Sequence, residues 1–329
     1  MLPALLLNII GLIIACFFLV KSSSYILKYL IQIIHFLKLH DFTLGFILMS
    51  VSTSMPELTV GVMSALGKDP TLGVGTAIGS VIINLSLIVG MVSILARGIK
   101  IHNKILKKDL IYMMFIVTAP VILMTDHYLW RLIGINVSPG LSRIDGAILL
   151  LIFVLYLIKS MSAEKPFSAY HSHSDSKGIH KALFFFALSL FALLISAHFT
   201  VEFAESLSMS LGVSKLIIGM FVLGVGTSLP ELVFSTKAAL ARHEELAIGD
   251  LVGSAITNTT LVLGLTAVIY PIYVNTLSFI SSGLFMLMIC FIFFTFAESD
   301  KELTWKEGIS LIILYILFTG IQLYINSNF

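Results

Sequence analysis

Residues 45–58 read GFILMSVSTSMPEL, and residues 219–232 read GMFVLGVGTSLPEL. The two segments are 174 positions apart, and at the same shift GSVIINLSLIVG (79–90) meets GSAITNTTLVLG (253–264). The matched positions include Gly45/Gly219, Thr53/Thr227, Ser54/Ser228, Pro56/Pro230, Glu57/Glu231, Gly75/Gly249, Gly79/Gly253, Ser80/Ser254, Asn84/Asn258 and Gly90/Gly264. Chance does not align so many polar, Gly and Pro positions inside apolar sequence, so the chain contains an internal repeat. In each copy an asparagine follows the glutamate by 27 residues.

The sequence around the repeat is that of a membrane protein. The chain is 58% hydrophobic and 12% charged, against roughly 45–50% and about 25% for soluble domains. Apolar runs of about 20 residues, enough to cross a bilayer core, recur along its length. Ten spans are expected, at about 2–20, 43–67, 71–96, 109–126, 144–159, 181–203, 215–240, 246–270, 277–297 and 306–325. The fold class is therefore an all-α polytopic membrane protein. The amphipathic stretch 22–40 either extends the first span or lies along the interface. The opening MLPALLLNII has no basic residue before its apolar run, so it reads as a retained span rather than a cleaved leader. Cys16 and Cys290 both sit in apolar runs and read as core residues rather than a disulfide pair or thiolate site.

Charge placement orients the spans. With the N-terminus outside, 16 of the 20 Lys and Arg residues fall in inside loops, which predicts N-out and C-out by the positive-inside rule. Five spans separate the two copies of the motif, so the copies enter the membrane from opposite sides. The expected organisation is a first five-helix repeat over 1–160, a cytoplasmic linker over 161–180, and a second five-helix repeat over 181–329. His171, His173 and His180 near the linker could bind a regulatory metal, but a solvated loop explains them as well. In secondary transporters, inverted repeats place the substrate site at the midplane, on helices interrupted at corresponding positions. Pro56 and Pro230 supply such interruptions.

A carboxylate at bilayer depth is costly and by default functional. Glu57 and Glu231 are the acidic residues that fall well inside the expected spans, with no Lys or Arg within a turn or two. If they face one pocket, their charges need a cation or protons. Thr53, Ser54 and Glu57 share a helical face through i, i+3 and i, i+4 spacing, and Ser80 and Asn84 repeat the spacing on the next span. Thr227, Ser228, Glu231, Ser254 and Asn258 do the same in the second half. Proline has no N–H, so Pro56 is expected to free the carbonyl of Ser52, and Pro230 that of Gly226. Such an all-oxygen set suits calcium or sodium, and the absence of His and Cys from it argues against zinc or copper. The bland readings are a kink for each proline, helix packing for the glycines, and helix glue for a lone asparagine.

At SVSTSMPEL, GTSLPEL and the two GS-xxx-N segments the sequence resembles the calcium/cation antiporter superfamily, and most of all the prokaryotic sodium/calcium exchangers. The resemblance covers all ten spans. It implies two inverted five-helix halves around a central site. It also implies that Thr53, Glu57, Thr227 and Glu231 hold calcium. Ser54, Ser80, Ser228 and Ser254 would contribute to sodium sites, with backbone carbonyls near Ser50 and Gly224, and Asn84 and Asn258 would complete the centre. Ca²⁺ and Na⁺ are then the transported ions and the lipid bilayer the surroundings. No enzymatic activity, cofactor, nucleic acid or obligatory protein partner is implied, and the membrane would be a prokaryotic inner membrane. Ser52 departs from the glycine usual in the first repeat, and Asn258 stands where some exchangers carry Asp. Proton-coupled calcium exchange is the alternative coupling, and a cation channel the alternative class. Gly249-Asp250 faintly resembles the GxGD motif of intramembrane proteases, but no second intramembrane Asp accompanies it and Asp250 falls near an expected span end.

Overall fold

The computed structural model describes residues 2–36, 50–100, 104–125, 139–162, 179–273, 276–299 and 302–328. Residues 163–178 with His171 and His173, the segment that includes Gly45, and residues 126–138 lie outside them. Besides a helical stretch at residues 50–53, eleven helices follow one another in the described residues: α1 Leu2–Phe36, α2 Met55–Leu66, α3 Thr71–Ala96, α4 Lys104–Thr125, α5 Arg143–Ser162, α6 Ile179–Leu211, α7 Lys215–Thr227, α8 Leu229–Leu240, α9 Glu244–Ile269, α10 Thr276–Ser299 and α11 Trp305–Asn328. A helix closes its own backbone hydrogen bonds, which is what a span in lipid requires. Seven of these helices are long and apolar enough to cross a bilayer, or eight if the bent pair α7/α8 is one span. Of the ten expected spans, α2 is a shorter apolar helix, and α5, with Arg143, Asp145 and Lys159 along its length, is not among the seven. The stretch after residue 20 extends the first helix to Phe36, which decides between the two readings of the amphipathic segment.

The outer surface is apolar: Phe115, Ile144, Leu7, Phe184, Phe191 and Ile316 are each more than half exposed. A contiguous surface of this kind faces lipid rather than water. Burial concentrates instead on α3 and α9, whose residues 72–83 and 247–260 are almost entirely inside. Two apolar clusters share the interior. The larger one joins α3 and α9 to α4, α5, α10 and α11 through Val81, Ile82, Met113, Leu149, Leu251, Met286 and Leu311. The smaller one joins α1 and α6 to the flank formed by α2, α3 and α7, through Leu12, Leu19, Leu193, Ala197, Val60 and Leu223. The long pair α1/α6 thus packs on the rest with a core of its own.

Glycines set the closeness of α3 and α7. A Cβ on Gly75 would collide with the carbonyl oxygen of Leu216, and one on Gly79 with the main chain of Met220. The crossing needs bare backbone on α3, as close helix approach in membranes generally does. The starts of α5 and α11 are fixed by capping boxes: Ser142 N–H donates to Asp145 at 2.8 Å, and Thr304 N–H to Glu307 at 2.7 Å. A two-residue antiparallel ladder, β1 Ile99–Lys100 with β2 Glu302–Leu303, ties the end of α3 to the start of α11.

The local geometry repeats at the same 174-residue shift as the sequence. Ser54 before α2 has φ −82° and ψ 5°, and Ser228 before α8 has φ −82° and ψ 4°. The break at Ser228 bends α7 against α8 by 41°. Wide π-turns occupy Asn84–Ile88 of α3 and Asn258–Val262 of α9. The turns that follow α2 and α8 hold Lys68 and Arg242 at positive φ, 63° and 65°. Each break falls at a matched site residue, which is where π-bulges and helix breaks tend to occur in functional proteins.

Candidate cation site

α2, α3, the α7/α8 break and α9 meet in the interior and bring the matched residues together. Glu57, Glu231, Ser54, Ser80, Asn84, Thr227, Ser254 and Asn258 are all fully buried. Glu57 and Glu231 open α2 and α8 just after Pro56 and Pro230, positions at which a missing N–H costs a helix nothing.

The hydroxyls link the two halves reciprocally. Ser80 donates to Glu57 Oε1 at 2.9 Å and lies 2.7 Å from the hydroxyl of Ser228. The matched bonds in the other half run from Ser254 to Glu231 Oε1 at 3.2 Å and between Ser254 and Ser54 at 3.0 Å. Each glutamate is thus served by a serine of its own half, and that serine is held by a serine of the other. Asn84 breaks the reciprocity: its amide donates to Ser254 at 3.1 Å, whereas both polar atoms of Asn258 lack a partner. A hydroxyl has one donor and two lone pairs. With the carboxylates ionised, Ser254 gives its proton to Glu231 and accepts from Asn84 and Ser54, so its capacity is full. Ser80 keeps one lone pair, and Ser54 and Ser228 keep both.

The second carboxylate oxygens of Glu57 and Glu231, the amide oxygen of Asn84 and the hydroxyl of Ser50 are buried without a hydrogen-bond partner. No Lys, Arg or His among the described residues pairs with either glutamate. Buried acceptors left unpaired cost about 1–3 kcal/mol each, more when charged, so the arrangement suits a cation. Among the described residues no three His, Cys, Asp or Glu side chains converge on one metal position. An ion held here would take two carboxylates at most and fill its shell with hydroxyl, amide and carbonyl oxygens.

The backbone expectations fare unevenly. The carbonyls of Ser50 and Gly224 accept the N–H groups of Ser54 and Ser228, both at 3.2 Å; Gly224 keeps a second lone pair, whereas that of Ser50 faces the hydroxyl of Thr53 at 3.2 Å. The Ser52 carbonyl that Pro56 releases is not left free, because Ser23 of α1 donates its hydroxyl to it at 2.7 Å. A further expectation to be corrected concerns charge. Glu57 and Glu231 are not the only acids at this depth. Asp250 lies almost two turns inside α9, is 2% exposed, and meets Thr53 Oγ1 at 3.3 Å and Ser235 Oγ at 3.5 Å. Its place near an expected span end concealed it. The signal that could have found it is a mismatch in the repeat, since Asp250 stands opposite Thr76.

A peripheral ion-pair cluster ties three elements at one end of the bundle. Lys215, opening α7, reaches Asp69 of the α2–α3 turn and Glu205 of α6, each at 2.7 Å. Burial alone would raise the Asp69 carboxyl, but hydrogen bonds from Lys215 and Thr71 outweigh it and hold the group below its usual value.

A family model described as "Sodium/calcium exchanger protein" matches residues 3–161 and 181–324. Among curated proteins the chain is 28% identical to the sodium/calcium exchanger MaX1 of Methanosarcina acetivorans, over 97% of this chain and 99% of that protein. It is also 28% identical to the inner membrane protein YrbG of Escherichia coli, over 76% of each. Among solved structures it is similar to the sodium-calcium exchanger NCX_Mj, with a TM-score of 0.65 and 23% identity over 95% of this chain and 97% of that one. The last likeness is one of fold.

Proposed function

Because the chain belongs to the sodium/calcium exchanger protein family, we propose that it is a secondary antiporter exchanging Ca²⁺ for Na⁺ by alternating access at a site between two inverted repeats. The observation that carries this reading is the reciprocal pairing of Ser80–Glu57 with Ser228 and of Ser254–Glu231 with Ser54, fully buried and without a basic partner. Two buried carboxylates that share no protein cation are balanced by a bound one. Thr53, Glu57, Thr227 and Glu231 would hold calcium. Ser50, Ser54, Ser80, Asn84, Gly224, Ser228 and Asn258 would serve sodium or shared positions, and Ser254 would join them when an ion displaces the donor of Asn84 or Ser54 from it.

Exchange follows from competition. One Ca²⁺ neutralises two carboxylates, as do two Na⁺ spread over the same carboxylates and the spare hydroxyl and carbonyl lone pairs. Either load lowers the cost of closing the site off from both faces between its two openings, and the unloaded site keeps that cost. Residues 1–160 and 181–329 act as the two five-helix halves, joined by the linker 161–180, with ten spans, both termini outside, in a prokaryotic inner membrane. The separate apolar core of α1/α6 supports sliding of this pair past the rest, which would open the site to each side in turn.

The test is ⁴⁵Ca²⁺ uptake by proteoliposomes under Na⁺, K⁺ or H⁺ gradients imposed one at a time. The proposal expects uptake with the Na⁺ gradient alone, lost in Glu57→Gln and Glu231→Gln. Uptake with H⁺ and not Na⁺ would make the protein a proton-coupled exchanger. Flux that follows the calcium gradient with no counter-ion would make it a channel.

A further inference from the structure

The buried carboxylate of Asp250 has no counterpart across the repeat, and its neighbours form a layer of their own. Asp250 lies four residues before Ser254 on α9, Ser235 four after Glu231 on α8, and Thr53 four before Glu57. Four residues are one helical turn, roughly 6 Å of rise. All three therefore stand one turn from the central Glu57–Ser80–Ser254–Glu231 layer, toward the turn at residues 241–243 that joins α8 to α9. They touch each other: Thr53 Oγ1 to Asp250 Oδ1 at 3.3 Å, Ser235 Oγ to Asp250 Oδ2 at 3.5 Å, and Ser235 Oγ to the carbonyl of Ala247 at 3.3 Å. The Thr53 hydroxyl also lies 3.2 Å from the carbonyl of Ser50, so its one proton is shared between the two acceptors. Ser50 lies three residues before Thr53 on the same helical face, is 3% exposed, and has a hydroxyl without a partner.

The matched layer on the opposite side of the centre is Thr227, Thr76 and Gly61. Thr227 and Thr76 donate their hydroxyls to the carbonyls of Leu223 and Leu72 on their own helices, both at 2.9 Å, and Thr227 also lies beside the Glu57 carboxylate. That layer is neutral. The Asp250 layer carries a formal charge, within electrostatic reach of both central glutamates, and no Lys, Arg or His among the described residues pairs with it. Among the described residues Asp250, Glu57 and Glu231 do not meet at one metal position, and Asp250 stands one turn away from the central layer.

We propose that Asp250 and Ser235, with Thr53 and Ser50 shared with the central site, form a second cation-binding layer, through which hard cations reach and leave the centre on the α8–α9 turn side only. Its donors are all oxygen: a carboxylate, three hydroxyls and the carbonyls of Ser50 and Ala247, a set that takes Na⁺ or Ca²⁺. The layer raises local cation concentration on one face and leaves the other face to the neutral layer, so the two faces load with different apparent affinities. This inference rests on the transport reading above, because sidedness has meaning only for a site exposed to each face in turn.

The experiment measures half-saturation for ⁴⁵Ca²⁺ and, separately, ²²Na⁺ on each face of the full chain in oriented proteoliposomes. It compares the natural protein, Asp250→Asn and Asp250→Thr, the last carrying the residue of the matched position. Both variants should raise half-saturation about tenfold on the α8–α9 turn face and leave the other face within about twofold. An equal shift on both faces, or none on either, overturns the proposal; the ion whose value moves identifies what the layer binds. Should Asp250→Asn not fold, Asp250→Thr and Asp250→Glu carry the test, with Glu expected to keep the asymmetry. A binding measurement separates failure of the layer from failure of the transport reading. In detergent, Glu57→Gln should retain a weak ⁴⁵Ca²⁺-binding phase that Asp250→Asn removes from it, whether or not the natural protein couples calcium to sodium. No such residual phase would also overturn the proposal.

Discussion

Ser80 and Ser254 occupy matched positions, and in a fully symmetric centre truncating either to alanine would cost the same. The structure makes them unequal. Ser80→Ala removes a charge-assisted bond to Glu57 and one neutral contact with Ser228. Ser254→Ala removes the corresponding bond to Glu231, the contact with Ser54, and the bond from Asn84. Neutral interhelical bonds in bilayers average about 0.6 kcal/mol and reach about 1–2, and bonds to an ionised group are roughly twice as strong. Ser80→Ala should then cost about 2 kcal/mol and Ser254→Ala about 3. The difference, about 0.6–1 kcal/mol, is the Asn84 bond and corresponds to a three- to fivefold change in the unfolding constant. Equilibrium unfolding of each variant in mixed micelles, followed by far-ultraviolet circular dichroism in calcium- and sodium-free buffer, reads this directly. Asn84→Ala combined with each serine change closes the cycle, showing coupling to Ser254 and none to Ser80. Equal costs, or a costlier Ser80→Ala, would refute the hydrogen-bond assignment and with it the claim that Ser254 has no lone pair to spare.

Other outcomes follow from single contacts. A Cβ at Gly226 would lie 4.0 Å from Cys16 Cβ, within the usual disulfide range. Gly226→Cys should therefore cross-link α1 to α7 on oxidation and stop exchange until reductant is added; undiminished flux in the cross-linked protein would exclude sliding of α1. Gly79→Ala drives a methyl into the Met220 backbone and should cost at least 1–3 kcal/mol, whereas Gly320→Ala, with nothing within 4 Å, should be neutral or stabilising by roughly 0.5–1 kcal/mol, both read from thermal unfolding in detergent. Asp69→Asn should destabilise by no more than about 1 kcal/mol at neutral pH, since the carboxylate is 39% exposed and screened. Because its folded pKa is depressed, that contribution is present above the unfolded carboxyl value of about 4 and disappears as pH falls through the lower folded value. A pH series of thermal midpoints should show natural and variant proteins converging in acid.

Much of the centre was legible in the sequence because repetition separates function from packing. Glu57, Glu231, the four serines and the two asparagines recur at one shift, and the fold places all eight in one buried region. Pro56 and Pro230 announced the helix breaks, since a residue without an N–H fits only at a helix start or a kink. Other features depend on contacts that spacing does not encode. The capture of the Ser52 carbonyl by Ser23 requires α1 to continue as one helix beside the site, and the amphipathic stretch left two courses open. The unequal asparagines arise from side-chain orientation within identical π-turns. Asp250 was missed because depth was judged from the apolar run. Helix α9 begins at Glu244, before that run, and carries Asp250 inside with it.

The central claim is that Glu57 and Glu231 hold one ion between them. Equilibrium ⁴⁵Ca²⁺ binding to the purified natural chain, Glu57→Gln, Glu231→Gln and the double variant tests it with no transport step involved. If the carboxylates act as one site, each single change weakens the tight binding phase at least 100-fold, about 2.7 kcal/mol, and the double change weakens it little further. Two single variants that each keep a tight calcium ion, with additive losses in the double, would contradict the account.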